Sequence, residues 1–131
     1  MSLVHLVITL ALGEFLAFGW AVGQARVRYK VPAPATTGDA TFERYFRVQM
    51  NTLEQLVIFV PSIVIFAHYW GPTVAAALGA LFIIGRAIYF YGYTRAPERR
   101  HMGFLVSAVP NLVLLVGALL GVIYALLQHG P

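Results

Sequence analysis

Cysteine is absent from this 131-residue chain. That excludes a disulfide framework, a protein thiolate nucleophile and any Cys-ligated metal, so a thiol taking part in chemistry has to arrive with a ligand. Charge is scarce as well: Asp, Glu, Lys and Arg together make up 11%, against about 25% in a soluble domain. So few charges cannot keep a protein surface wet, which excludes the ordinary water-soluble class. No glycine-rich phosphate loop is present. The basic loops are short and lie against apolar segments, so nucleic acid is not an expected partner. His5, His68, His101 and His129 are scattered without metal-ligand spacing, and no metal site is expected.

What the chain has instead is hydrophobic length. Apolar residues make up 60% and the mean hydropathy is +0.76. A spanning helix needs about 20 mostly apolar residues. Four segments qualify, at 3–25, 52–69, 73–93 and 104–127, with a helical start for the second as early as Phe42. The first lacks the basic leader of a removable signal peptide and runs past signal length, so it is expected to stay as a span. Residues 31–39, rich in Pro, Thr and Gly, read as a loop, Trp70-Gly71-Pro72 as a tight turn, and 94–103 as the remaining loop. The expected fold is an all-α membrane protein, a bundle of four transmembrane helices forming a single domain over residues 1–131.

The basic residues set an orientation. All nine Lys and Arg lie between Arg26 and Arg100, while the turn around Gly71 and both ends of the chain carry none. The positive-inside rule puts both long loops in the cytoplasm and both termini on the opposite side, which four spans make self-consistent. A compact, loop-poor chain without an organelle address fits a multi-pass protein of a bacterial inner membrane. Gly19-x-x-x-Gly23 and Gly117-x-x-x-Gly121 offer close helix contacts, and Pro61 and Pro110 are candidate kinks.

Charges inside a span are costly and normally face a protein interior or an aqueous cavity. Arg47, Asn51 and Glu54 stand four and three residues apart and therefore share one helix face, with Arg44 one turn earlier. Arg86, Tyr89 and Tyr93 repeat that spacing on the third span. Both stripes run toward the basic loops. Two readings are open: a site for an anionic, polyfunctional ligand, with Arg forks for carboxylates and Glu54 for an ammonium, or a structural network in which Glu54 pairs with Arg86. Glu14, in the middle of the first span, reads as a contact to a neighbouring helix or subunit. Tyr69, Trp70 and Tyr91 read as interfacial anchors.

The segment Glu43-Arg44-x-x-Arg47-x-Gln49-x-Asn51-x-x-Glu54 resembles the signature of the MAPEG family, the membrane-associated proteins of eicosanoid and glutathione metabolism. Gly85-Arg-Ala-Ile-Tyr-Phe-Tyr-Gly-Tyr93, with Arg100 seven residues beyond, and the loop Pro34-Ala-Thr-Thr-Gly38 are similar to that family in the same order. The likeness is closest to the branch containing leukotriene C synthase and microsomal glutathione transferases two and three.

The resemblance implies a homotrimer with glutathione as co-substrate between subunits, near the cytoplasmic face. It implies glutathione contacts from Arg26, Arg47, Gln49, Asn51, Glu54, Arg86, Tyr89 and Tyr93. It also implies a catalytic role for Arg100 in stabilising the glutathione thiolate, with Tyr89 as the other catalytic candidate. The implied activity is transfer of glutathione to lipophilic electrophiles from the bilayer, with reduction of lipid hydroperoxides as a companion. Two departures argue against leukotriene synthesis itself: Val27 and Gln55 stand where that synthase has an arginine and a tyrosine. A ligand-binding or structural membrane protein without catalysis is the alternative.

Overall fold

The computed structural model describes all of residues 1–131 and is entirely helical. Four helices, α1 (Ser2–Arg28), α2 (Ala40–Trp70), α3 (Pro72–Tyr93) and α4 (Arg100–His129), are joined by loops, with one 3₁₀ turn at Pro97–Arg99 before α4. Each is long and apolar enough to cross a bilayer. Long apolar side chains stand outward along them, with Leu16 76% and Val27 82% exposed on α1 alone. Such a surface is stable against lipid or another apolar protein face, not against water. The chain is an integral, multi-pass membrane protein.

Two helices begin earlier than their apolar segments. The 31 residues of α2 span about 46 Å at 1.5 Å per residue, well beyond a hydrocarbon core of about 30 Å. Its first turns therefore project past the apolar layer and carry Glu43, Arg44 and Arg47. Asp39 caps them, its Oδ1 accepting from Phe42 N at 2.9 Å, with Glu43 in the first turn favouring the helix dipole. Helix α4 likewise starts at Arg100, not near Phe104, because backbone hydrogen bonding continues through a polar turn that hydropathy reads as loop. Pro61 and Pro110 lie inside α2 and α4 without ending either helix.

A core of Val4, Val7 and Ala11 from α1, Leu56, Phe59 and Ile63 from α2, Phe82 from α3 and Leu114 from α4 fills the centre. Phe59 and Phe82 stack with ring centroids 4.1 Å apart. Helices α3 and α4 meet backbone to backbone: a Cβ on Gly85 would strike the main chain at Ser107, and one on Gly103 would strike that of Tyr89. The two Gly-x-x-x-Gly patterns differ in use. Gly117 and Gly121 receive the rings of Phe66 and Tyr69 from α2, whereas Gly19 faces Gln49 and Gly23 faces open space. Trp70, expected only as an interfacial anchor, also donates from Nε1 to Gly117 O at 2.7 Å.

Candidate functional site

The loop end of the bundle is where the polar side chains collect. Arg44, on the second turn of α2, reaches Thr94 O at the end of α3 at 3.5 Å, so the two basic loops share one end. Between α2, α3 and the start of α4 lies a cavity of about 260 Å³ lined by Arg47, Asn51, Tyr89, Tyr93, Arg100, His101 and Phe104. A recess of about 430 Å³ adjoins it, lined by Thr36, Glu43, Arg44, Arg47 and Tyr93 among others. Arg47 and Tyr93 line both, so the two form one polar cleft.

Helical spacing explains the cavity's walls. Arg47 and Asn51 are one turn apart on α2, as are Tyr89 and Tyr93 on α3 and Arg100 and Phe104 on α4. The Gly103 contact brings the first turn of α4 against the backbone of Tyr89, which carries Arg100 to the tyrosine wall. Tyr89 and Tyr93 stack at 5.5 Å between centroids. The start of α4, which has no side-chain cap, adds the positive end of a helix dipole to the Arg100 charge. The cleft therefore combines three guanidinium groups, of Arg44, Arg47 and Arg100, with aromatic faces and a helix N-terminus, a set suited to an anion with a polar backbone.

Arg86 lies beneath this surface and does not line it. It is 0% exposed. Its Nη1 donates to Asn51 Oδ1 at 2.8 Å, and its guanidinium carbon sits 4.3 Å from the Tyr89 ring centroid. It thus braces two cavity residues from behind. With its carbonyl oxygen taken, Asn51 has its amide N–H groups left for a ligand. The alternative pairing of Glu54 with Arg86 is not formed: Glu54 Oε1 pairs with Arg47 Nη1 at 3.4 Å. Both partners are half-exposed, and Glu54 stands beside the cavity, not in its lining. Glu14 Oε1 is buried within the single chain, so it faces a neighbouring helix of its own chain.

Arg26 and Gln49 fall outside the cleft. Arg26 Nη1 donates to Ala35 O at 2.6 Å, and its guanidinium lies 4.8 Å from the Phe42 ring centroid. It holds the loop after α1. Gln49 faces Gly19 on α1. His101 and Phe104 are the lining residues that sequence reasoning missed. With α4 expected to begin near Phe104, the four-residue spacing from Arg100 was hidden inside an assumed loop.

A membrane-embedded four-helix bundle with a basic and aromatic cleft at one bilayer edge defines the class. The chain belongs to the MAPEG family, whose model matches residues 4–120. It is 46% identical to an uncharacterized protein of Synechocystis sp. over 94% of this chain and 90% of that protein. It is 40% identical to microsomal glutathione S-transferase 2 of Mus musculus, over 92% of this chain and 82% of the relative. Leukotriene C4 synthase of Cavia porcellus is 33% identical over 81% of this chain and 71% of its own length.

Proposed function

We propose that this protein is a glutathione-dependent membrane transferase that conjugates glutathione to lipophilic electrophiles reaching it through the bilayer. The observation that carries the reading is the single cavity gathering Arg47, Asn51, Tyr89, Tyr93 and Arg100. Glutathione offers two carboxylates, an ammonium and a thiol. Arg47 and the Asn51 amide take a carboxylate end, Glu54 lies close enough to Arg47 to accept the ammonium, and Arg100 sits by the sulfur. A guanidinium and a helix N-terminus near sulfur favour the thiolate, which is the attacking species. The thiolate then displaces a leaving group or opens a strained ring on the electrophile. With a lipid hydroperoxide it attacks the terminal peroxide oxygen and releases the alcohol. A second glutathione then converts the sulfenic acid to disulfide and water.

The working unit in this reading is a homotrimer with glutathione between subunits. The separation of Arg26 and Gln49 from the cleft within one chain supports it, since a neighbouring copy can supply both. In this reading the membrane is a bacterial inner membrane and the cleft opens at its cytoplasmic face, the end where the basic residues gather.

The test is product formation by purified protein with glutathione and an aryl halide, and separately with a lipid hydroperoxide. Protein-dependent conjugate is expected. Saturable glutathione binding without either product would instead favour a non-catalytic binder. Arg47→Gln and Asn51→Ala should each weaken glutathione binding by about ten- to hundredfold, since a hydrogen bond to a charged group contributes about 1.5–3 kcal/mol. Calorimetric titration with oligomer size monitored measures this. Unchanged affinity in both variants would return the stripe to a structural role.

A further inference from the structure

A second, larger groove lies on the outer face of α3 and α4. Its volume is about 770 Å³, and its lining includes Ile84, Ile88 and Tyr91 of α3, Arg95 and Arg99 of the connecting turn, and Met102 of α4. Ile84, Ile88, Tyr91 and Arg95 follow one another at spacings of four, three and four, so they form one stripe running from the apolar layer to the membrane edge. The floor at the polar end depends on a close approach: a Cβ on Gly92 would lie 2.7 Å from Arg99 O. Ala96 N also donates to Gly92 O at 3.0 Å. The turn is thereby folded against α3 with both arginine side chains outward.

The chemistry changes along the groove in the same order as the bilayer does. Ile84, Ile88 and Met102 are exposed, the two isoleucines within the apolar segment of α3. The Tyr91 ring lies at the edge with the Arg95 guanidinium 5.5 Å from its centroid. Arg95 and Arg99 are free of ion pairs, the one within the chain being Arg47 with Glu54. Glu98 is also in the lining, so the two arginines leave the polar end positive by one charge. We infer that this groove is a binding site for an anionic phospholipid, with its phosphate at Arg95 and Arg99 and an acyl chain along Ile84 and Ile88. Charge complementarity selects the occupant: lipid is what covers the apolar stripe, and a basic rim at headgroup depth favours a negative headgroup. His101 lines both this groove and the cleft, so a lipid here abuts the helix start that carries Arg100.

Tryptophan quenching in lipid nanodiscs tests this without glutathione. In the full chain, Trp20→Phe and Trp70→Phe silence the native indoles and Tyr91→Trp installs one reporter in the groove. Brominated phosphatidylglycerol should half-quench it at about one tenth the mole fraction needed by brominated phosphatidylcholine. Arg95→Gln with Arg99→Gln should bring the two curves together, while Arg95→Lys with Arg99→Lys should keep them apart. A variant retaining only Trp20 reports the general annulus and should show no preference. Equal quenching of the groove reporter by both lipids, a preference surviving the Gln pair, or the same preference at Trp20 would each overturn the site. Displacement by soluble glycerol phosphate would overturn lipid as the occupant.

Discussion

At the Gly71 end of the bundle, the glycines of α4 are filled by rings from α2, Phe66 against Gly117 and Tyr69 against Gly121. The Trp70 indole closes the join. At the loop end, α2 and α4 stand apart around a cavity, while α3 and α4 meet backbone to backbone at Gly85 and Gly103. The same residue type thus does opposite work. Glycines at one end let side chains shut the bundle, and at the other they draw two backbones together so that a third helix can remain separate. Close packing and the polar cleft are therefore assigned to different ends of one bundle.

The largest expected effect breaks the closed end. Gly117→Val drives two methyl groups into the Phe66 ring, and overpacking of this kind costs about 1–3 kcal/mol. Thermal unfolding in detergent should fall clearly, while glutathione affinity of the folded fraction stays as in the parent. A parallel loss of affinity would show that the two ends are coupled.

Next in size is the chemistry at the open end. Arg100→Ala should leave glutathione bound but raise the pKa of its thiol. A rise of about 1 corresponds to about 1.4 kcal/mol between protonation states, or about tenfold in the thiolate fraction. The sign is definite: removing a cation disfavours the thiolate, so the deficit is full below both thiol pKa values and disappears above them. Ultraviolet titration of the bound thiolate beside steady-state rates across pH checks it. Wild-type titration and rate in the variant would remove Arg100 from the mechanism and leave Tyr89 as the candidate donor.

The smallest effect sharpens the comparison. Glu54 and Arg47 form a half-exposed pair, and such pairs contribute about 0–1 kcal/mol to stability. Glu54→Gln should hardly move the unfolding temperature but should weaken glutathione, because the carboxylate that accepts its ammonium is gone. A stability loss without an affinity loss would make the pair structural.

Much of this was readable along the chain. The four spans appear as runs of hydropathy, and Arg47, Asn51, Tyr89 and Tyr93 as helical stripes, because both signals are local. Pairing was not readable. Arg86 was open to Glu54 by charge, yet it bonds Asn51, since which atoms meet across 35 positions of sequence depends on helix rotation and depth. His101 and Phe104 were hidden because hydropathy marks where a helix turns apolar, not where its hydrogen bonds begin.

Sequence alone determined that this protein lives in a bilayer, how often it crosses, and at which edge its charges gather. Composition and placement of Lys and Arg decide those points through solvation, with no need of contacts. Tertiary structure decided that Arg86 is a buried brace, that Arg26 and Gln49 stand away from the cleft, and that Arg95 and Arg99 head a separate groove. Those outcomes follow from contacts between elements, Gln49 against Gly19, Arg26 on the Ala35 carbonyl, and α3 against α4 at Gly85 and Gly103, that exist only once the helices have packed.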